Sequence, residues 1–182
     1  MEESSPITAK PVETCPKKKQ QHGLLIYMSQ FTKARGLQLE GTAGAAVADA
    51  LEKSLESLGG KARDACEERI SKKHETAVRR AENAGREEPK KPRSHIIGDD
   101  VLTAIPVKEA RDKIEADVKA LLADVKEHKH RKALSKLTAT VQPVRVREIV
   151  ARQTGSFTLG SNAVYAATCF ANFVLSSLFD AT

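Results

Sequence analysis

Residues 43–70, "AGAAVADALEKSLESLGGKARDACEERI", form the longest helical pattern in the chain and decide the class of its fold. Apolar residues recur here at intervals of three or four, which places them on one face of an α-helix: Val47, Leu51, Leu55, Leu58, Ala62 and Ala65. Gly59 and Gly60 interrupt the pattern, and each costs about 1 kcal/mol relative to alanine inside a helix. Either the helix breaks there, or another helix crosses it closely enough to require small residues.

The composition of the whole chain also favours helices. A length of 182 residues suits one domain or two very small ones. Aromatic residues make up only 4% of the chain and there is no Trp, so Ala, Leu, Val and Ile must build the core. Ala and Leu lead the scale of helix propensity. We therefore predict an all-α fold.

No pattern in the sequence predicts a disulfide framework, a metal site or an enzyme. The cysteines are odd in number and far apart, which favours a reducing compartment: Cys15, Cys66 and Cys169. The histidines fit no zinc-ligand spacing, "GGKAR" is not a phosphate-binding loop, and adjacent carboxylates such as Asp99 and Asp100 diverge on a helix. The first residues lack the apolar core of a secretory signal. We expect no catalytic residues, no metal and no cofactor.

Charge is distributed in bands along a chain of net charge +6. Residues 72–93 contain eight basic and four acidic residues, and residues 126–147 contain seven basic and one acidic residue. Residues 39–70 instead contain seven acidic and four basic residues. Basic bands favour a polyanionic partner, nucleic acid first and an anionic membrane second, with a merely solvated face as the alternative.

The predicted elements fall into a repeated order. A tail at 1–22 is expected to be disordered, and a short helix at 24–35 precedes the long one. A charged extension and loop follow at 71–93, then a short helix, and then a helix opened by Pro106 whose apolar face is Val107, Ile114, Val118, Leu121 and Val125. After a basic connector at 128–142 the order starts again with a short helix after Pro143, a loop and an apolar terminal helix.

Short, long and short helices joined by two loops are the pattern of the histone fold, and particular stretches carry this resemblance. Residues 93–105, "RSHIIGDDVLTAI", resemble the second loop and third helix of core histone 2B. "LLIYMSQF" at 24–31 resembles the first helix of that histone, and the Pro-led helix at 106–127 resembles its extra C-terminal helix.

The second half of the chain resembles histone 2A. "PVRVREIVARQTG" at 143–155 is similar to the first helix of that family, and "LGSNAVYAA" at 159–167 resembles the start of its long helix. The chain is thus similar to the fused 2B–2A histone doublets of giant DNA viruses, with a 2B-like unit at 23–127 and a 2A-like unit at 143–182. "VREI" and "SLFDAT" also look like histone 3, which would make the first half histone 4-like, but histone 4 has no extra Pro-led helix.

The resemblance implies an intramolecular handshake in which two long helices cross and each unit buries the apolar face of the other. Ala166, Ala167 and Ala171 are expected to face Gly59 and Gly60 at this crossing. The 2A-like unit stops at Thr182, so we expect it to lack its third helix. The loop pairing near Lys33 and Arg35 would then be missing, the particle would be less stable, and the extra helix or the 71–90 insertion would cover the exposed face.

Histone-type wrapping binds DNA phosphates without reading bases. The resemblance implies contacts by Arg93 and Ser94 in the second loop and by Lys33 and Arg35 at the first. In the second unit it implies contacts by Arg145, Arg147, Arg152 and Ser156. Further basic residues would add non-specific phosphate contacts: Lys17, Lys18, Lys19, Lys129, Arg131 and Lys132.

The expected partners are double-stranded DNA, a histone 4–3-type pair or doublet and a second copy of the chain, in a nucleosome-like particle in a virion, a viral factory or the host nucleus. No membrane partner is expected. Two alternatives stay open at this point. One is a histone-fold module that binds proteins, such as a transcription-factor subunit. The other is a membrane anchor at 153–179, where 27 residues contain no Asp, Glu, Lys, Arg or His.

Overall fold

The computed structural model describes the backbone of residues 41–137 and 141–180, together with Leu24, Thr32, Lys33 and Gly36; the side chains of 126–137 and 180 are outside the described set. Thr32 and Lys33 are helical, and Leu24 and Thr32 are buried. The predicted tail at 1–22 and most of the predicted helix at 24–35 lie outside the described residues.

The longest helix, α1, runs without a break over Gly41–Asn83. Its buried stripe is close to the predicted one and consists of Ala48, Leu51, Leu55, Leu58, Ala62, Cys66 and Ile70. Beyond Ile70 the helix continues as the charged extension expected from the sequence. Of the two hypotheses for the glycine pair, the structure therefore supports a helix that stays intact.

Gly59 lies where α1 is crossed by the helix α4, Pro143–Thr154. A methyl group on Gly59 would stand 2.7 Å from the carbonyl oxygen of Val150 and 3.4 Å from Cβ of Gln153. The prediction that Ala166, Ala167 and Ala171 face this glycine pair is wrong. Those three alanines are buried in the terminal helix, whereas α1 packs mainly against α4.

The remaining elements follow the predicted order with shifted bounds. After α1 come strand β1 (His95–Ile96), helix α2 (Gly98–Thr103), helix α3 (Lys108–Leu137), α4, strand β2 (Thr158–Leu159) and helix α5 (Ser161–Asp180). Helix α3 begins two residues after Pro106 and continues through the first ten residues of the predicted connector. Pro143 occupies the first turn of α4 and does not precede the helix.

One apolar core joins all these elements, and the described chain is mostly helical, as the composition predicts. On α3, Ile114, Val118 and Leu121 are buried as predicted, but Val107 precedes the helix and is 55% exposed. Helix α5 packs against α2, α3 and α4. Of the two segments expected to cover the terminal helix, it is α3 that contacts α5, with the Lys113 ammonium 5.5 Å from the centre of the Phe173 ring.

Candidate nucleic-acid interface

The two halves of the chain meet at a pair of short parallel strands, which we call the loop pair. His95 is in register with Thr158, and Ile96 with Leu159. The amide of Thr158 donates to the carbonyl of Ser94 at 3.1 Å, and the amide of Gly160 donates to the carbonyl of Ile96 at 2.9 Å. His95 Nδ1 also lies 2.8 Å from Thr158 Oγ1. The loop after α1 is thereby fixed to the loop between α4 and α5.

A partly buried ion pair holds the first of these loops on α1. Arg69 Nε and Nη2 donate to the two carboxylate oxygens of Asp100 at 2.7 and 2.9 Å, and Nη2 also donates to the carbonyl of His95 at 2.8 Å. Asp100 is only 3% exposed. It also accepts a hydrogen bond from the amide of Ile97 at 2.9 Å, which caps the start of α2.

The environment of Asp100 favours its charged form. Burial alone would raise the pKa of this carboxyl group, but the hydrogen bonds from Arg69 and from the Ile97 amide outweigh burial and lower the pKa. The same contacts raise the pKa of Arg69, chiefly through the hydrogen bond to Asp100. Both groups are therefore charged at neutral pH.

The loop pair brings together three residues predicted to contact DNA. Arg93 and Ser156 each stand two residues before the paired His95 and Thr158, and Ser94 lies between Arg93 and the strand. All three side chains are exposed. Arg93 forms no ion pair with any acidic residue in the described part of the chain, so its guanidinium group is available to an anion.

The three predicted arginines of α4 have different surroundings. Arg147 is exposed and has no ion pair with a described acidic residue. Arg145 is half-buried and donates to Glu148 at 2.6 Å. Arg152 donates to Glu52 and, at 3.4 Å, to Glu56 of α1, and the hydrogen bond to Glu52 raises its pKa. Arg152 thus ties α4 to α1, in addition to any contact with DNA.

The other predicted contact residues are not part of the described loop pair. Lys33 is exposed and its carbonyl accepts a hydrogen bond from the amide of Gly36. Arg35 and the three lysines of the tail lie outside the described residues, as do the side chains of the three basic residues near the end of α3: Lys17, Lys18, Lys19, Lys129, Arg131 and Lys132.

Sequence reasoning missed the residues that shape the loop pair. Arg69 and Asp100 are 31 positions apart, and His95 and Thr158 are 63 apart, so no local pattern connects them. Asp100, at the third position of α2, was the one indication of this arrangement in the sequence, because an acid at that position often caps a helix.

Metal ligands and membrane segments were also sought in the structure. Among the side chains of residues 42–125 and 141–179, no three from His, Cys, Asp or Glu are placed to hold a metal ion. In the same part of the chain one stretch, Ser161–Phe179 of α5, has the length and apolar composition that crossing a membrane requires. Half of this stretch is buried inside the protein, and the core helix of a soluble protein passes the same test.

In comparisons with known proteins, no family model, no curated protein and no solved structure matches the chain.

Proposed function

We propose that this protein binds double-stranded DNA without sequence preference and compacts it, as a histone-type doublet whose two helical units pair within one chain. The loop pair carries the proposal. A parallel contact between the loop after one long helix and the loop before the other is the kind of loop pairing that a handshake of two units requires.

Charge and geometry support a phosphate-binding role for this edge of the molecule. Arg93, two residues before β1, is exposed and unpaired among the described residues, and Ser94 and Ser156 present hydroxyl groups beside the strands; Arg147 on α4 is likewise exposed and unpaired. Helix α5 begins directly after β2 and has no acidic residue in its first turn. The amides at the start of a helix lack partners within the helix and favour anions.

The contacts offered here suit the DNA backbone better than base edges. Arginine and serine next to free helix amides bind phosphates, and such contacts position a protein on DNA without reading its sequence. A net charge of +6 attracts the polyanion at long range. The proposed mode of DNA binding therefore requires no base-specific contacts.

We expect affinity for a 30-base-pair duplex to be nearly the same for unrelated sequences and to fall steeply with salt. Each phosphate contact adds about 0.9 to the slope of log K against log salt concentration, so the double variant Arg93→Gln/Arg147→Gln should lower the slope by about 1.8. Fluorescence anisotropy at a series of salt concentrations measures this slope. The matched control is Lys53→Gln/Lys61→Gln, which removes the same charge from exposed lysines of α1.

A second measurement separates DNA compaction from a protein-binding module. The protein is mixed with DNA and a histone 4–3-type pair and digested with nuclease, and a discrete protected length is expected. A sequence preference greater than about a thousandfold, typical of specific DNA-binding proteins, would contradict the proposal. So would tight binding to the histone pair with no protection of DNA.

A further inference from the structure

A helical arm stands away from the core between Ile70 and the loop pair. We call residues 71–94 the basic arm; it consists of the last turns of α1 and the segment that returns to β1. From Ser71 to His95 no residue is buried, whereas Ile70 and Ile96 on either side are. The helical part, 71–83, extends about 20 Å at 1.5 Å per residue. The segment therefore contributes no buried residue to the core, and core packing does not explain its presence.

The arm has a defined shape. Its helix ends at Asn83, and Gly85 follows with a φ of +60, the left-handed conformation that glycine adopts readily. The amide of Arg86 donates to the carbonyl of Ala81 at 2.9 Å, and the amide of Gly85 donates to the carbonyl of Glu82 at 3.1 Å, the pattern of a Schellman motif. The chain then turns back along the helix, with Pro89 half-buried against it.

One side of the arm is strongly basic. Between the helix and the returning segment lies an open cleft of about 670 Å³, and its charged lining residues are Lys72, Lys73, Arg80, Arg86 and a single acid, Glu87. Lys72 pairs with Glu68 at 2.6 Å, but both side chains are more than half exposed. The other three cations form no ion pair with an acid in the described ranges.

The opposite side of the arm is neutralised by its own acids. A second cleft, of about 540 Å³, has three acids and three basic or imidazole groups in its lining: Glu75, Glu82, Glu88, His74, Arg79 and Lys91. Arg79 pairs with Glu75 at 2.7 Å, and His74 lies 3.8 Å from Glu88. Of the two clefts, only the first therefore has an excess of positive charge in its lining.

We propose that this basic face is a second DNA-binding element, which holds the phosphate backbone of the duplex that lies on the loop pair; the inference rests on the proposed function. One face of the arm helix carries Lys72, Lys73, Thr76 and Arg80, because successive residues in this set are one, three and four positions apart. From Lys72 to Arg80 they span about 12 Å, the rise of three to four nucleotides along one strand.

Two observations favour DNA over other polyanions. The returning segment carries the exposed Arg86, Lys90 and Arg93 toward β1, so positive charge follows the chain from the basic face to the loop pair. The arm also exposes no large apolar side chain, whereas a helix that lies on a membrane inserts Leu, Phe or Trp.

The decisive variant is Lys73→Gln/Arg80→Gln/Arg86→Gln in the full chain, compared with Lys53→Gln/Lys61→Gln/Lys108→Gln, which removes equal charge from exposed lysines outside the arm. With a 30-base-pair duplex, we expect the arm variant to lower the slope of log K against log salt by about 2.7, and the control to leave it nearly unchanged. The charge-preserving variant Arg80→Lys/Arg86→Lys should retain the wild-type slope. Circular dichroism checks that the variants keep their helix content.

The other outcomes overturn the inference in distinguishable ways. Equal loss of slope in the arm variant and its control would show an effect of net charge alone. An unchanged arm variant, with a weakened Arg93→Gln/Arg147→Gln variant, would reject the arm and leave the proposed function standing. Failure of the wild-type protein to bind DNA would reject both. Arm-dependent binding to phosphatidylserine vesicles, with an unchanged DNA slope, would identify a membrane as the partner instead.

Discussion

At the scale of single residues, Gly59 and Gly60 are adjacent but have opposite roles. A side chain on Gly59 would collide with the backbone of α4, whereas a methyl group on Gly60 would have nothing within 4 Å. Backbone at 2.7 Å cannot rotate away as a flexible side chain can. Gly59 thus sets how closely the two halves approach, while Gly60 only weakens the helix.

We predict that Gly59→Ala lowers the free energy of unfolding by about 1–2 kcal/mol, because the cost of overpacking exceeds the gain in helix propensity. The matched variant Gly60→Ala should raise it by up to about 1 kcal/mol. Urea unfolding followed by circular dichroism measures both. Stabilisation by both substitutions would show that α4 moves aside at no cost.

The ion pair between the half-buried Arg69 and the buried Asp100 leads to a pH-dependent prediction. Asp100→Asn should cost about 2–3 kcal/mol at pH 7, since it leaves Arg69 without its charged partner. The pKa of Asp100 is lower in the folded protein than in the unfolded chain. Its contribution to stability is therefore complete above the unfolded pKa near 4 and is lost as pH falls through the folded pKa.

The cost of Asp100→Asn should accordingly be constant near neutral pH and shrink as the pH falls from about 5 into the acid range. Thermal unfolding of both proteins over this range measures the difference. Asp99→Asn is the control, because Asp99 is the exposed neighbour of Asp100 on the same helix. A difference between wild type and Asp100→Asn that stays constant with pH would contradict a charged, stabilising Asp100.

At the scale of elements, α3 protects one face of α5. Burial, together with the negative charge of Asp117 on α3, raises the pKa of Cys169 to about 12. Because the thiolate is the reactive form, we expect Cys169 to react with a thiol reagent at pH 8 only when α5 opens. Cys66 has a raised pKa too, first through burial, and should also react slowly.

Phe173→Ala should accelerate labelling of Cys169 more than that of Cys66, because it removes the contact with Lys113 that helps hold α3 on α5. Mass spectrometry of a Cys15→Ser protein measures the two rates separately. Leu178→Ala is a suitable control, since Leu178 lies on the same helix and is 39% exposed. Equal acceleration of both cysteines would indicate global unfolding rather than local opening.

Local patterns predicted the order of the helices but not all of their bounds. The interval of three and four residues identified α1, and Pro143 marked the start of α4. The basic character of residues 128–142 predicts a connector, and 128–137 are its first ten residues. Their Lys, Arg, Ala and Leu residues nevertheless favour a helix, which is how α3 continues to Leu137.

At the scale of the whole molecule, the structure brings together three of the predicted contact residues, whereas sequence reasoning gave the wrong partner for the glycines. Arg93, Ser94 and Ser156 meet at the loop pair. The crossing at Gly59 involves Val150, and Arg152 binds Glu52, a residue 100 positions earlier. Such contacts depend on how two separate halves dock, and no periodicity within one segment carries that information.

The long separation of these contacts has a consequence for the kinetics of folding. Helical proteins usually fold fast, because most of their contacts are local in sequence. Here α4 reaches its place on α1 only after a loop of about 100 residues has closed. The strands β1 and β2 pair although their residues are 63 positions apart in the sequence. The chain loses conformational entropy when that loop closes, before any packing energy is gained. Despite its helix content, the protein should therefore fold at a rate closer to that of a mixed α/β domain.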